Sequence, residues 1–302
     1  MAVTISVADV DGDGTGVDLA AYLASFATTY TASGRGGFSG TNPDNSFQGK
    51  AYVSSDGETD GTSVIFNART WMTYDLSTHV VSGKLDSIVF GSDTSTTDGV
   101  TTNDAEVTIS GFRNHETSSS DGDIMGDLMS SDTSSLIAYL KTQSLKLIGS
   151  AGDDVLRGYG QADLLRGGAG DDSLYGRGGN DVIRGARGND SLYGGAGNDR
   201  LVGGAGDDFL VGGAGKDLLI GGAGADTFYF ARGHGADRIQ DFDAGTDTIA
   251  FHSSLFSDVS DILDNARETD AGVVIKYDGG RVLLEDVKLS DLSDSDFSLT
   301  TL

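Results

Sequence analysis

Cysteine is absent and proline occurs once, at Pro43, in 302 residues. Without thiols the chain can form neither a disulfide nor a zinc–thiolate site. Histidine is scarce: His79, His115, His234 and His252 are the full set, and they make no HExxH pair. No G-x-S-x-G elbow and no phosphate-binding loop occurs, so the common hydrolase and nucleotide signatures are missing. No apolar run approaches the ~20 residues needed to cross a bilayer as a helix. Basic residues are few, 20 Lys and Arg against 46 Asp and Glu, for a net charge of −26. That balance weighs against nucleic acid and against anionic membrane surfaces as partners. The opening MAVTISVADVDGDG has no basic region followed by an apolar core. It does not read as a secretory signal peptide, and an exported chain would carry its address elsewhere.

Glycine, by contrast, is abundant, and it is ordered. From Gly149 to Tyr229 the chain reads GSAGDDVLR, GYGQADLLR, GGAGDDSLY, GRGGNDVIR, GARGNDSLY, GGAGNDRLV, GGAGDDFLV, GGAGKDLLI, GGAGADTFY. Position one is always glycine, and position six is always aspartate: Asp154, Asp163, Asp172, Asp181, Asp190, Asp199, Asp208, Asp217 and Asp226. Position four is glycine except at Gln161, and position eight is always a large apolar residue, Leu156 to Phe228. Glycines allow six residues to bend where a Cβ would forbid it, and the last three residues extend as a short strand with its central side chain inward. Two units then make one coil of a parallel roll, and each aspartate stacks near the one two units away. Nine units give columns of five and four, hence seven stacked pairs. A cage of carboxylate and carbonyl oxygens suits Ca²⁺, so the nine aspartates are the expected ligands of several calcium ions. The pattern resembles the RTX nonapeptide repeat. Without calcium the carboxylates repel, and one inward apolar residue in nine cannot offset the entropy of ordering glycine-rich chain. Folding and calcium binding are therefore expected to be one event.

Ahead of the repeats, Asp9, Asp11, Asp13 and Gly14 begin like a calcium loop. Ala20 stands where an EF-hand requires a bidentate glutamate, so the stretch reads as a solvated acidic turn. Leu19, Tyr22, Leu23, Phe26 and Tyr30 recur at helical spacing over 17–30. Strand-like runs follow at 51–54, 62–67, 70–76, 79–82, 85–90 and 106–110, several alternating apolar with polar as a half-covered antiparallel sheet does. The Ser/Thr/Asp tract 91–104 reads as an exposed loop, and 123–129 and 133–142 as helices.

Behind the repeats, VVIKY-DGG-RVLLE reads as a hairpin. The segment as a whole resembles the C-terminal region of RTX proteins exported by type I secretion, whose uncleaved signal lies in the last few dozen residues. On the roll itself, the outward positions of the even-numbered units are largely aliphatic or arginine. Those of the odd-numbered units are more wettable. The expectation is that the even-numbered sheet is covered by the chain after Tyr229, with Phe230, Ile239, Phe242 and Phe251 in need of partners, or by another molecule, and that the odd-numbered sheet faces solvent.

The stretch Trp71-Met-Thr-Tyr-Asp-Leu-Ser-Thr-His-Val-Val-Ser-Gly-Lys-Leu-Asp-Ser-Ile-Val-Phe-Gly91 resembles the HasA-type hemophores, secreted proteins that capture haem and deliver it to an outer-membrane receptor. Those proteins carry a tyrosine on one strand, a histidine just beyond it, and a segment like Gly83–Ser87. Residues 16–30 and 127–133 are similar to further parts of that family. The resemblance implies Tyr74 as an axial iron ligand and His79 as its hydrogen-bond partner. Tyrosinate ligation of haem is an established mode, and an imidazole that accepts the phenol proton makes it accessible near neutral pH. Strand alternation would place Met72, Tyr74 and Leu76 on one face, with Met125 and Met129 on the opposite wall. The connection from Tyr74 to His79 is shorter than is usual in the family. The loop matching its second haem-facing segment, YTASGRGG at 30–37, offers no histidine.

Together these readings predict an α+β domain over 1–145, with an antiparallel sheet and helices on one face. An all-β parallel roll over 149–229 and a β-rich cap with secretion signal over 230–302 follow it. The expected protein is not an enzyme. It is secreted by type I machinery from a Gram-negative bacterium, folds on calcium, and takes haem b for an outer-membrane receptor, with host haemoproteins as possible donors. The alternative is a surface or adhesin-type protein that reuses the fold without haem.

Overall fold

The computed structural model describes residues 3–7, 15–18, 37–38, 47–55, 63–75, 80–82, 85–97, 100–110 and 134–301. The chain divides into two compact units, 1–12 with 18–146, and 13–17 with 147–302.

In the first unit the described residues are almost entirely strands, the longest being Phe47–Ser55, Ser63–Asp75, Leu85–Thr97 and Val100–Ser110. Their registers include Tyr52↔Phe66, Phe66↔Ile88 and Ile88↔Ile109, all antiparallel. Two sequence expectations change here. The runs 62–67 and 70–76 join into one strand, because no glycine or proline separates them and a register shift at Asn67/Ala68 absorbs the break in pattern. The tract expected as a loop at 91–104 is mostly strand, with Ser95↔Thr102 and Thr97↔Val100 closing a hairpin. Its threonines are polar, but they are β-branched and favour extended backbone.

The helices expected at 17–30 and 123–129 lie outside the described residues, apart from Val17 and Asp18, which are in the strand Thr15–Asp18. Among the described residues the unit holds one helix, Ser134–Lys141, with Leu136 and Leu140 one turn apart and buried. The expected α+β class is thereby corrected. The described chain is all-β, its body is a parallel β-solenoid, and its helices are short and few.

The second unit is that solenoid. Strands from alternate repeats stack in parallel as two sheets, one through Leu156↔Leu174, Leu174↔Leu192 and Leu192↔Leu210, the other through Leu165↔Ile183, Ile183↔Leu201 and Leu201↔Leu219. Every position-eight side chain is at most 1% exposed. The core is thus a double column of one residue per unit. Each strand runs on through the first three residues of the next unit, as in Ser173–Gly178 and Arg200–Ala205, before the chain turns into the opposite sheet.

After Tyr229 the chain extends the solenoid rather than covering it. Gly235–Ile239 and Gly280–Glu285 add to the even-numbered sheet, and Thr248–His252 and Phe297–Thr300 to the odd-numbered one. Phe230, Ile239, Phe242 and Phe251 do find partners, but inside the column: Phe230 packs on Phe251 and Tyr277, and Phe242 on Phe228. The expectation that this segment covers the even-numbered sheet is therefore wrong. Main-chain N–H and C=O groups at a sheet end need pairing as strongly as aromatic rings need burial, and adding coils satisfies both. The hairpin expected at 272–284 is present, with Val273↔Leu284 and Tyr277↔Gly280.

Position two of a unit turns with positive φ, as at Gly195 and Gly204, yet Arg177 and Ala186 hold φ of 75° and 97° at this position. A side chain there is strained by ~1–3 kcal/mol, against an entropic cost of ~0.5–1 kcal/mol for a glycine. Ala186→Gly is expected to stabilise the calcium-saturated roll by about 1 kcal/mol, read as a higher denaturant midpoint. An unchanged or lower midpoint would show the strain to be relieved by the neighbouring coils.

Candidate metal sites

Position six carries the chemistry. The seven from Asp172 to Asp226 each accept, through Oδ1, the main-chain N–H of the aspartate one coil earlier. Asp154 donates to Asp172 at 2.8 Å, Asp172 to Asp190 at 2.8 Å and Asp190 to Asp208 at 2.8 Å, while Asp163, Asp181 and Asp199 donate to Asp181, Asp199 and Asp217 at 2.7, 2.7 and 2.9 Å. All nine are buried. In the seven from Asp172 to Asp226 the bond to Oδ1 fixes the carboxylate and does not engage Oδ2.

Oδ2 of Asp172, Asp181, Asp190, Asp199, Asp208, Asp217 and Asp226 is buried without a hydrogen-bond partner. An orphaned buried carboxylate oxygen is costly, and a whole column of them demands a cation. Carbonyl oxygens converge on the same space. A Cβ placed on Gly176 would collide with Asp181 Oδ2 and lie 2.6 Å from the carbonyl oxygen of Gly194. At Gly203 the corresponding neighbours are Asp208 Oδ2 and, at 2.6 Å, the carbonyl oxygen of Gly221. Glycine at position one thus clears a pocket walled by oxygen. Among the described residues no three carboxylate or imidazole side chains gather as a ready-made metal group. Main-chain carbonyls must therefore supply much of the coordination, which suits a hard cation such as Ca²⁺ and not a soft one.

Burial pushes these carboxyls up in the metal-free molecule, reinforced by neighbouring carboxylates. Asp172, Asp181 and Asp208 rise to about 7, and Asp190, Asp217 and Asp226 to about 6. Asp199 is raised by burial as well. The hydrogen bond each receives from the preceding coil opposes the rise and does not cancel it.

The column does not stop with the repeats. Asp217 donates to Oδ1 of Asp237 and Asp226 to Oδ1 of Asp247, both at 3.0 Å. Both acceptors are buried, and Asp237 Oδ2 is also without a partner. Burial carries Asp237 up to about 8. Sequence reasoning missed these two because the spacing slips from nine to eleven and then ten residues. The signal was present in Gly235-Ala-Asp-Arg-Ile and Gly245-Thr-Asp-Thr-Ile, which keep the glycine–aspartate–apolar order. The ends of the columns are closed differently. Asp154 Oδ2 takes the N–H of Ser150, Asp163 Oδ2 that of Tyr159, and Asp247 Oδ2 that of Asp243.

A second ladder, at position five, is exposed and runs the opposite way. Asn189 N–H donates to Asp171 Oδ1 at 2.7 Å and Asp207 N–H to Asn189 Oδ1 at 2.8 Å. Asn serves there as well as Asp, so geometry and not charge is what that position needs.

Of the residues implied for haem, Met72 and Tyr74 lie in the strand Ser63–Asp75, opposite Gly49 and Phe47, and Tyr74 also pairs with Val81. Leu76, His79, Met125 and Met129 lie outside the described residues.

The family model of the RTX calcium-binding nonapeptide repeat, in four copies, matches residues 146–174, 175–210 and 202–235. The chain therefore carries calcium-binding repeats. Among curated proteins none matches it. Solved structures that are similar include the extracellular lipase LipA from Serratia marcescens, at 20% identity over 52% of this chain and 40% of that one, with a TM-score of 0.31. The apo hemophore HasA from Yersinia pestis matches at 18% identity over 46% of this chain and 86% of its own, TM-score 0.35. The AlgE6R3 subunit of the Azotobacter vinelandii mannuronan C5-epimerase matches at 29% identity over 48% and 77%, TM-score 0.25. At these scores none of the likenesses bears on fold or chemistry.

The raised carboxyls set a sign. Their folded values, about 6 to 8, exceed the 3.8 of an ordinary aspartate, so they favour the metal-free roll when protonated. That contribution is full below about pH 4 and is lost as pH rises through 6 to 8. In calcium-free buffer, roll structure measured by circular dichroism is expected to increase as pH falls from 8 towards 4. The calcium concentration that half-folds the roll should stay level or rise slightly as pH rises from 5.5 to 8, because the unfolded chain and the calcium-loaded roll are both deprotonated there while the protonated metal-free roll is lost. A calcium midpoint that fell steeply as pH rose over that range would contradict the burial argument.

Proposed function

We propose that this is a secreted protein whose solenoid folds only on meeting calcium outside the producing cell, with Asp154, Asp163, Asp172, Asp181, Asp190, Asp199, Asp208, Asp217 and Asp226 as its carboxylate ligands. One observation carries the reading: the columns of buried, unpartnered Oδ2 atoms. In a low-calcium cytosol, such a segment stays extended and can pass a narrow type I channel of a Gram-negative bacterium. In millimolar calcium the ions bind and the coils close, so export and folding are separated by the ion alone. No helix among the described residues is long and apolar enough to cross a membrane.

The second reading concerns the first unit. The resemblance of Trp71–Gly91 to the HasA-type hemophores, and the position of Tyr74 in a strand that pairs with Val81 two residues beyond His79, support capture of haem for an outer-membrane receptor. Tyr74 would ligate ferric iron and His79 would accept its proton. The rival reading is a surface or adhesin-type protein without haem.

Two measurements separate these proposals. Chelation of the full chain should unfold 149–229 and leave the first unit protease-resistant. A roll that keeps its circular dichroism and protease resistance in chelator would remove the calcium reading. Added haemin should give a tyrosinate-type Soret and charge-transfer spectrum that Tyr74→Phe abolishes and His79→Ala weakens. A spectrum identical in Tyr74→Phe, or none at all, favours the rival.

A further inference from the structure

The charges of the solenoid are sorted between its two sheets. On the even-numbered sheet the inward side chains Leu165, Ile183, Leu201, Leu219, Ile239, Val282 and Val273 are fully buried, which turns their neighbours outward. Those neighbours include six arginines: Arg166, Arg184, Arg200, Arg238, Arg281 and Arg267. Among the described outward residues of this sheet one acid appears, Glu285, paired with Arg238 at 3.1 Å. The odd-numbered sheet presents Arg157 and otherwise serine, threonine, aliphatic and aromatic side chains, with Tyr175 stacked on Tyr193 at 4.8 Å. The turns repeat the division. Position five reads Ala162, Asn180, Asn198 and Lys216 before the even-numbered strands. Before the odd-numbered ones it reads Asp153, Asp171, Asn189, Asp207 and Ala225. A chain of net charge −26 thus keeps acids off one face and lines it with guanidinium groups.

Among the arginines lie half-buried Val182, Val202, Leu218, Ile220 and Leu283. At the far end Leu218, Val274 and Leu283 line a groove of about 520 Å³, with Lys216, Arg238 and Arg281 and, from the buried columns, Asp217 and Asp237 also in its wall. From the strand of Arg166 to that of Arg267 the stripe crosses eight strands, roughly 34 Å at ~4.8 Å per step.

From this segregation we infer that the even-numbered face of the calcium-loaded solenoid binds an extended acidic polysaccharide lying across the strands. Guanidinium forks match carboxylates in pairs, and the aliphatic side chains between them fit the C–H faces of sugar rings. Other anionic partners fit less well. Single-stranded nucleic acid needs aromatic platforms for its bases, and the face has none, the aromatics being on the opposite sheet. A lipid surface needs protruding apolar groups, and among the described residues Leu164, at 36%, is the one exposed large hydrophobic. An extended acidic peptide would add at a sheet edge through its main chain, whereas the main chain beneath this face is already paired. Calcium favours the contact twice over, by folding the face and by offsetting the buried carboxylates behind it.

The test uses the full chain in saturating calcium, with immobilised hyaluronan as the carboxylate polymer and dextran as its neutral counterpart. Retention on hyaluronan at low ionic strength, little on dextran, and release by a few hundred millimolar salt are expected. The triple variant Arg166→Gln/Arg184→Gln/Arg200→Gln should bind at least tenfold more weakly, with calcium-induced circular dichroism unchanged because the three side chains point outward. Arg157→Gln, on the other face, should bind as the parent does. The inference is overturned by equal retention on dextran, by a preference for anionic vesicles or single-stranded DNA, or by binding that the triple variant keeps. That last result would mean that calcium ions merely bridge two sets of carboxylates. Loss of calcium-induced folding in the parent would instead count against the proposed calcium-gated function, and circular dichroism reads that separately.

Discussion

A carboxylate taken out of water without a counter-ion is one of the least favourable things a fold can contain, and this solenoid contains two columns of them. Asp172 to Asp226 each keep one oxygen in a hydrogen bond and one with no partner in the protein. The rest of the second unit follows from that constraint. Glycine stands at position one because a Cβ there would fill the space in front of the free oxygen. Each strand carries one inward apolar side chain and one inward glycine, as in Phe209–Ala214, and the coil must then turn to bring the next carboxylate into its column. A single apolar residue per unit makes a thin core, so cohesion depends on the cation that neutralises the columns.

The same constraint explains how the molecule ends. A solenoid exposes unpaired main chain and an unfinished carboxylate column at each terminus, and both must be closed. At the start of the columns, Ser150 and Tyr159 supply main-chain N–H groups to Asp154 and Asp163. At the other end the repeat loosens while the column goes on through Asp237 and Asp247, and Asp296 binds Gly245 N–H at 2.7 Å. Larger aromatic side chains, Phe230, Phe251 and Tyr277, take over from leucine as the coils widen. The segment after the repeats is thus built as further coils of the roll.

With negative charge held mainly in the turns and columns, the outer faces of the sheets are free to differ. One carries arginine and aliphatic side chains, the other tyrosine, serine and threonine, although the repeat that generates both is the same. Alternation of units is what separates them: consecutive nonapeptides fall on opposite sheets, so a substitution pattern of period eighteen becomes a two-faced surface.

Much of this was legible in the sequence. Nine residues of period, with glycine, aspartate and an apolar residue in constant places, determine coil, column and core, because each of those needs only local geometry repeated. The hairpin of Val273–Leu284 was legible for the same reason, its turn and alternation being local. What the sequence alone did not decide depended on contacts between distant segments. The threonine-rich tract after Gly91 is polar enough to be a loop, and only the partner strand Val100–Ser110 makes it a strand. Asp237 and Asp247 fall out of period, and only the stacking of their strands on earlier coils returns them to the columns. The aromatic residues after Tyr229 called for burial under either arrangement. Strand addition prevailed over face covering because it also pairs the open main chain at the end of each sheet, a requirement that hydrophobic pattern does not record.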